Sequence, residues 1–273
     1  MKNQKIKNIN YAYFDLDGTL LTKDKKITEL NLKALEIMRN NDIKIGIATG
    51  RPQMMIKHII NQVNPELPII SVNGGVVATK DEIIYNQSFT VEETHNIYTW
   101  LVEEKIDFLA YTKDEMYYNN VSDTKWFTRV KNSLKEMKES ERWELISNTL
   151  SINTRISKFL ILSENIDSSI RKKIDGFFST IPNSYLGDPL PVVIDVMPKG
   201  ISKGDALTSL DKQGVIDINK TMVFGDAPND ISMFKVAGTT VAVPNSHESL
   251  MKIADINLID DTEDYIYNFI KSL

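Results

Sequence analysis

Short apolar runs alternate with helix-period stretches over the first third of the chain. Asn10 to Leu16 reads as a buried strand, and Thr28 to Asn40 places Leu30, Ala34, Leu35 and Met38 at helical spacing. Ile43 to Ala48 is a second β-rich run, and it ends in Thr49-Gly50-Arg51. Pro52 then suits the first turn of a helix reaching to about Asn61, because its missing N–H costs nothing there. Leu67 to Val72 reads as a third strand, closed by Asn73-Gly74-Gly75. Strand, helix, strand, helix, strand predicts a parallel sheet with right-handed crossovers.

The texture changes near Thr90. Val91 to Glu104 has a helical pattern, and Phe108 to Tyr118 is aromatic and strand-like. A polar, lysine-rich stretch from Asp123 to Glu144 precedes an apolar strand at Phe159 to Leu162. A helix over Ser168 to Phe178 and a strand over Pro191 to Val196 complete what reads as an inserted α+β domain. The first rhythm then resumes with a helix from near Ser202 and a strand over Thr221 to Phe224. A helix opening at Asn229, a strand over Thr239 to Val243 and a terminal helix over Glu263 to Ser272 follow. The expected organisation is a core of residues 1–89 and 195–273 with a domain inserted over 90–194. The junctions at Gln87-Ser88-Phe89 and Asp195-Val196-Met197-Pro198 are candidate hinges.

Composition narrows the classes. A chain of 273 residues is long enough for two domains of ordinary size, and 42% hydrophobic with 25% charged residues is globular usage. A net charge of −5 offers no footprint for nucleic acid. There is no cysteine, hence neither disulfide nor thiolate chemistry. The basic N-terminus Met1 to Lys7 lacks the apolar stretch of a signal peptide, and no run approaches the roughly 18 apolar residues of a membrane span. These features lead us to expect a cytoplasmic protein without nucleic-acid or membrane partners, a monomer or weak homodimer.

The chemistry gathers at predicted strand ends. Asp15 and Asp17 follow the apolar run Tyr11 to Phe14, and residues two apart on an extended strand share a face. Two clustered carboxylates repel, so such a site raises one pKa or holds a cation. A hard ion such as Mg²⁺, with its oxygen ligands, suits the pair. One aspartate can then act as a nucleophile and the other as an acid/base. Taken alone, Asp-Leu-Asp-Gly is equally compatible with an acidic turn. Gly225-Asp226-Ala227-Pro228-Asn229-Asp230 repeats the placement after a second apolar strand, where ligands of open parallel sheets bind. Asp226 reads as a third metal carboxylate, whereas Asp230 also fits a helix cap. Thr49-Gly50-Arg51 opens a helix and suits an anionic oxygen, although plain capping explains it too. Lys203 lies near a helix start, where the dipole disfavours a cation unless a phosphate or the carboxylates face it. His58, His95 and His247 show no metal-ligand spacing, and Met54 and Met55 read as core or helix surface.

Asp-x-Asp-Gly-Thr, Thr-Gly-Arg, Ser-Lys-Gly and Gly-Asp-x-x-Asn-Asp, in this order, closely resemble the haloacid dehalogenase superfamily of phosphatases. The position and texture of the insertion resemble its C2-capped members, the IIB or Cof-type subfamily, and Ser71 to Gly75, with Asn73, matches a further landmark of the family. The least typical feature is the Ala227-Pro228 pair. The resemblance implies a Rossmann-like three-layer α/β/α core with a parallel sheet, plus an inserted α+β cap of the C2 type. It implies that Asp15 is a nucleophile forming an aspartyl-phosphate and that Asp17 is the general acid/base. Thr49 and Lys203 would hold the phosphoryl group, together with the amides of Leu16 and Gly50 and with Asn229. Mg²⁺ would be bound by Asp15, the carbonyl of Asp17 and the side chain of Asp226, with Asp230 and Asn73 in support. Arg51, beside the phosphate site, is a candidate for substrate contact. The implied substrate is a small phosphomonoester such as a sugar phosphate; a phosphomutase and a non-catalytic sugar-phosphate sensor are the alternatives. Tyr111, Tyr117, Tyr118, Trp126 and Phe127 could line a leaving-group pocket, but most are expected to build the core of the cap.

Overall fold

The computed structural model describes residues 8–122, 124–137, 139, 142–147, 150–151, 153–162, 164, 166–181, 184–186, 193–260 and 262–273. The expected segments at 1–7 and 191–192 and the Trp126 side chain lie outside the described residues. The described residues within 1–51, 58–85 and 202–273 form one compact unit, and those within 52–57 and 86–201 form a second.

The first unit starts with strand β1 (Tyr11–Phe14) and helix α1 (Glu29–Asn40). Thr28 starts α1 by accepting a hydrogen bond from the Asn31 amide at 3.0 Å, and Ala34, Leu35 and Met38 form the buried stripe. Strand β2 (Lys44–Ile47) leads to a 3₁₀ turn at Gln53–Ile56 and then to α2 (Lys57–Val63). Pro52 therefore precedes a tight turn rather than the first turn of an α-helix. Strands β3 (Ile69–Ser71), β4 (Val76–Ala78) and β5 (Ile83–Asn86) form a small sheet in that order. It joins the main sheet through a bridge between Ala48 and Ile70.

In the second unit, α3 (Val91–Glu103) opens with a reciprocal cap. Thr90 Oγ1 accepts from the Glu93 amide at 3.1 Å, while the Glu93 carboxylate accepts from the Thr90 amide at 2.8 Å. The aromatic run splits into a hairpin of β6 (Phe108–Tyr111) and β7 (Met116–Asn119), turning at Thr112 to Glu115. The lysine-rich stretch contains α4 (Lys125–Glu136) and β8 (Leu145–Ser147). Then come β9 (Lys158–Leu162), α5 (Ser168–Ser179), β10 (Ser184–Leu186) and β11 (Val193–Pro198). The sheet order is β10-β11-β9-β6-β7-β8, antiparallel except where β8 runs parallel to β7.

Period-two alternation divides this sheet between two apolar layers. Phe108, Ala110, Phe159, Ile161, Ile194 and Val196 pack with Ile97 and Leu101 of α3 and Ile174 and Phe178 of α5. Leu109, Tyr111, Met116, Leu160 and Leu162 face Phe127, Trp143 and Met54 on the other side. Tyr111, Tyr117 and Phe127 are thus core residues, while Tyr118 is half-buried and tilted against Phe127.

The first unit resumes with α6 (Lys203–Lys212), β12 (Thr221–Gly225), a 3₁₀ turn at Pro228–Asp230 and the short α7 (Ile231–Phe234). Strand β13 (Thr239–Ala242), the short α8 (Glu248–Met251), β14 (Ile256–Asn257) and α9 (Tyr265–Lys271) close the chain. The main sheet is β14-β13-β12-β1-β2, parallel throughout, so β1 and β12 are central neighbours. Phe14 and Phe224 pair in register and stack at 4.4 Å, bringing the chain that leaves each strand to one sheet edge. Sheet and flanking helices make the α/β core, with an inserted α+β domain, that the resemblance implied. Among the described residues, no helix is long and apolar enough to cross a membrane.

Candidate active site

Asp15 follows β1 directly and Asp226 follows β12 directly, so the two carboxylates arise from neighbouring strand ends. Lys203, the first residue of α6, brings a fully buried ammonium between Asp15 and Asp230. Its Nζ donates to Oδ1 of Asp15 at 2.5 Å and to Oδ1 of Asp230 at 2.6 Å. A cation at a helix start opposes the dipole, and two carboxylates supply the compensation here. They also push the Lys203 ammonium pKa upward, overcoming the burial that would lower it.

Asp230 has a second task. Its Oδ2 accepts from the amides of Asp226 at 3.0 Å and Ala227 at 3.1 Å, which ties the loop after β12 into a turn. Asp226 is held from outside the loop: Thr19 Oγ1 donates to its Oδ1 at 3.0 Å, and the His247 amide donates to its carbonyl at 2.7 Å. Gly18 has φ +84, and a Cβ there would collide with the Asp226 carboxylate, so glycine serves both the turn and the close approach.

Burial and the neighbouring carboxylates leave this cluster short of positive charge. Burial is the larger influence on Asp15, and with Asp230 and Asp226 it outweighs Lys203 and raises the carboxyl well above its ordinary value. Asp226 is pushed up to about 6, first by burial and then by Asp230.

Asp17 is in a different state. Arg51 grips both oxygens, Nε on Oδ2 at 2.6 Å and a terminal nitrogen on Oδ1 at 2.5 Å, and Lys25 Nζ reaches Oδ1 at 2.7 Å. Burial pushes Asp17 upward, but the two cations prevail and hold it below the usual carboxylate range. The Arg51 guanidinium, expected to face substrate, is thus on Asp17.

Thr49 and Asn73 are joined through the backbone, with the Asn73 amide donating to the Thr49 carbonyl at 3.0 Å. Thr49 Oγ1 accepts from the Arg51 amide at 3.2 Å. Asn73 Oδ1 accepts from Asn229 Nδ2 at 3.2 Å and closely approaches Gly50. Val72 and Asn73 both lie in the left-handed region, φ 52 and 53, which for a buried β-branched valine is strained backbone. Gly74, at φ +99, lies against the Ser202 carbonyl, where a Cβ would collide. This turn therefore abuts the start of the helix that carries Lys203.

A family model of haloacid dehalogenase-like hydrolases matches residues 12–270. The chain belongs to this family. A candidate phosphatase of Streptococcus pyogenes serotype M6 is 30% identical over 90% of this chain and 91% of its own length. The 5-amino-6-(5-phospho-D-ribitylamino)uracil phosphatase YwtE of Bacillus subtilis is 25% identical over 95% of this chain and 96% of its own. The solved structure of the HAD subclass IIB sugar phosphatase BT4131 superposes with a TM-score of 0.80 at 23% identity, covering 96% of this chain and 98% of that one. At that identity the likeness establishes the fold.

For this hydrolase the donor chemistry suits a hard cation. Ligand atoms of Asp15, Asp226 and Asp230 lie within 4.8 Å of one another, and no histidine belongs to that group. The elevated Asp15 and Asp226 pKa values are the electrostatic counterpart: a cation held there would favour the ionised carboxylates. Asp230 is committed to Lys203 and two amides, so Asp15 and Asp226 are the better ligands, with Asp230 orienting them. The Asp17 carboxylate lies outside the group, leaving only its backbone carbonyl for that expected metal role.

Sequence reasoning missed Lys25, Thr19 and Tyr265. Lys25 sits in a loop at φ 61 with no local signal of its target. Thr19 closes the first motif, and that position is the one signal that could have found it. The Tyr265 hydroxyl donates to the Thr19 carbonyl at 2.6 Å from the far end of the chain. Its phenol is pushed up to about 12, mainly by burial and then by Asp226, so it remains a neutral donor.

Proposed function

We propose that this hydrolase is a Mg²⁺-dependent phosphatase that removes phosphate from a small phosphomonoester, of the sugar-phosphate kind, through a phosphoryl group carried on Asp15. The supporting observation is the buried Lys203 ammonium on Asp15 Oδ1, which holds the carboxylate in one orientation and assigns Oδ2 to attack. The names of the phosphatase relatives point to the same chemistry.

In the first step Asp15 Oδ2 bonds to phosphorus as the ester P–O bond breaks, and the departing alkoxide takes a proton from neutral Asp17. In the second, water attacks the same phosphorus, Asp17 takes its proton, and the bond to Asp15 breaks to release phosphate. Thr49, Lys203, Asn229 and the amides of Leu16 and Gly50 hold the phosphoryl oxygens, because phosphoryl transfer depends on positioning and charge stabilisation. Asp15, Asp226 and the Asp17 carbonyl would hold Mg²⁺, which when bound supplies positive charge against that developing on the phosphoryl group. Arg51 and Lys25 keep Asp17 ionised, the form that receives the proton from water. The acid role requires that this pairing loosen once substrate enters.

The test is hydrolysis of p-nitrophenyl phosphate and a panel of sugar phosphates with Mg²⁺. The reading expects phosphate release by the wild-type protein and none by Asp15→Asn. Wild-type protein that releases phosphate from no member overturns it.

A further inference from the structure

Helix α9 reaches the first acidic loop from the opposite end of the sequence. Tyr265 and Phe269 are one turn apart, so they share a face of the helix. Phe269 meets Phe224 edge-on at 6.1 Å, and Phe224 stacks on Phe14, so three rings run beneath the strands that lead to Asp226 and Asp15. From the same face the Tyr265 hydroxyl donates to the Thr19 carbonyl at 2.6 Å and lies 3.4 Å from that of Gly18. The other side of the helix is latched to α1. Asn31 Nδ2 donates to the Glu263 carbonyl at 2.9 Å, the Tyr267 amide donates to Asn31 Oδ1 at 3.3 Å, and Thr28 Oγ1 donates to Asp264 at 2.6 Å.

The loop from Leu16 to Leu21 needs such an anchor. Its backbone bonds are one tight pairing, the Leu21 amide on the Leu16 carbonyl at 2.8 Å, and two longer ones, Thr19 on the Leu16 carbonyl at 3.3 Å and Leu20 on that of Asp15 at 3.2 Å. Thr19 carries the hydroxyl that orients Asp226, so a shift of its backbone moves that hydroxyl off the carboxylate. We propose that Tyr265 is a positioning residue for the phosphatase reaction: it holds the Thr19 carbonyl, and through the Thr19 hydroxyl it keeps Asp226 in register with Asp15. The relay runs from phenol O–H to the Thr19 carbonyl, and from the Thr19 hydroxyl to Asp226 Oδ1. This proposal rests on the phosphatase reading for its kinetic consequence, though not for its structural one.

Tyr265→Phe removes the hydroxyl and keeps the ring. Two measurements read the effect: hydrogen exchange over residues 16–22, and Mg²⁺ titration of p-nitrophenyl phosphate hydrolysis. Faster exchange at Thr19 to Leu21 is expected, with kcat lower and the Mg²⁺ requirement higher by about 10-fold each. KM for p-nitrophenyl phosphate stays near the wild-type value, because the expected loosening is confined to Thr19 to Leu21 and leaves the Leu16 amide beside β1 in place. Tyr267→Phe, which takes a hydroxyl from the same helix, changes none of these. If Tyr265→Phe does not fold, Phe269→Leu loosens the same helix face and is expected to shift exchange and Mg²⁺ requirement in the same direction. Wild-type exchange and wild-type Mg²⁺ requirement in the folded variant overturn the proposal. A wild-type protein with no phosphatase activity overturns the phosphatase reading instead, and the exchange data still decide whether Tyr265 holds the loop.

Discussion

Arg51 holds both carboxylate oxygens of Asp17, at 2.5 and 2.6 Å, from the loop that follows β2. The pair joins the ends of two neighbouring strands, β1 and β2, and makes Asp17 chemically unlike Asp15 only two residues away. Burial raises Asp15, while Asp17 is held low by Arg51 and Lys25 against the same tendency. Both shifts run against the proposed roles until ligands arrive: Asp15 must be ionised to attack, which a bound cation would favour, and Asp17 must be neutral to donate, which requires Arg51 to release it.

Arg51→Met keeps the apolar stem and removes the charge. Without the guanidinium, burial acts on Asp17 opposed only by Lys25, so its pKa rises. The form that accepts a proton from water is then lost at higher pH. The acidic limb of the kcat/KM profile, which reports the free enzyme in which Arg51 holds Asp17, is expected to move upward in pH in this variant, and a limb at the wild-type position counts against Asp17 as the titrating group.

Lys203 is the cation on which the buried carboxylates depend. Lys203→Met leaves Asp15 and Asp230 without their buried partner, and breaking a buried pair in this way costs about 3–5 kcal/mol. Urea unfolding in the absence of metal is expected to show a loss of that order, and turnover with Mg²⁺ is expected to vanish. A variant that is inactive yet as stable as wild type shows that the pairing contributes nothing net to the fold.

The carboxylate cluster also sets a pH dependence of stability. Burial and Asp230 push Asp226 up to about 6 in the folded chain, above its unfolded value, so the folded state binds more protons across that interval. Stability of the metal-free protein therefore falls as pH rises from about 4 to about 6, and the raised Asp15 acts in the same direction. Mg²⁺ binds the ionised form and reverses the trend. Thermal unfolding is expected to show a larger Mg²⁺-induced rise in Tm near pH 7.5 than near pH 5. An equal rise at both contradicts the assignment of the cluster as the metal site.

Gly18→Ala tests the approach of the first loop to Asp226. Alanine must adopt φ +84 and place a methyl group where the Asp226 carboxylate lies, so the loop moves. The strain alone amounts to about 1–3 kcal/mol, and weaker Mg²⁺ binding, read as a higher Mg²⁺ requirement, follows from the displaced carboxylate. Wild-type Mg²⁺ titration and stability in this variant contradict the geometry described here.

The parts of the site that the sequence displays are those coupled to strand ends. Asp15 and Asp226 could be placed because an apolar run followed by an acid and a glycine marks the end of a parallel strand. The structure brings both to one sheet edge through the β1–β12 pairing, with Lys203 bonded to Asp15 and to Asp230. The grip of Arg51 and Lys25 on Asp17 was not legible, because it depends on where two loops meet rather than on any local pattern. Val72 reads from sequence as the last residue of a strand; in the fold its own amide donates to the Arg51 carbonyl and the Asn73 amide to that of Thr49, and its backbone lies in the left-handed region. Tyr265 is separated from Thr19 by 246 residues, and nothing in a terminal amphipathic helix announces a hydroxyl aimed at an acidic loop. The short strand β14 escaped notice because two residues carry no periodicity.

The central claim is that the phosphoryl group passes through Asp15. Acid-quenching the protein during Mg²⁺-dependent turnover, followed by borohydride reduction and peptide mapping, reads this directly. The account predicts homoserine at position 15 in the wild-type chain, and neither reduction product nor turnover in Asp15→Asn. Turnover at the wild-type rate by Asp15→Asn, with residue 15 unmodified, would contradict it.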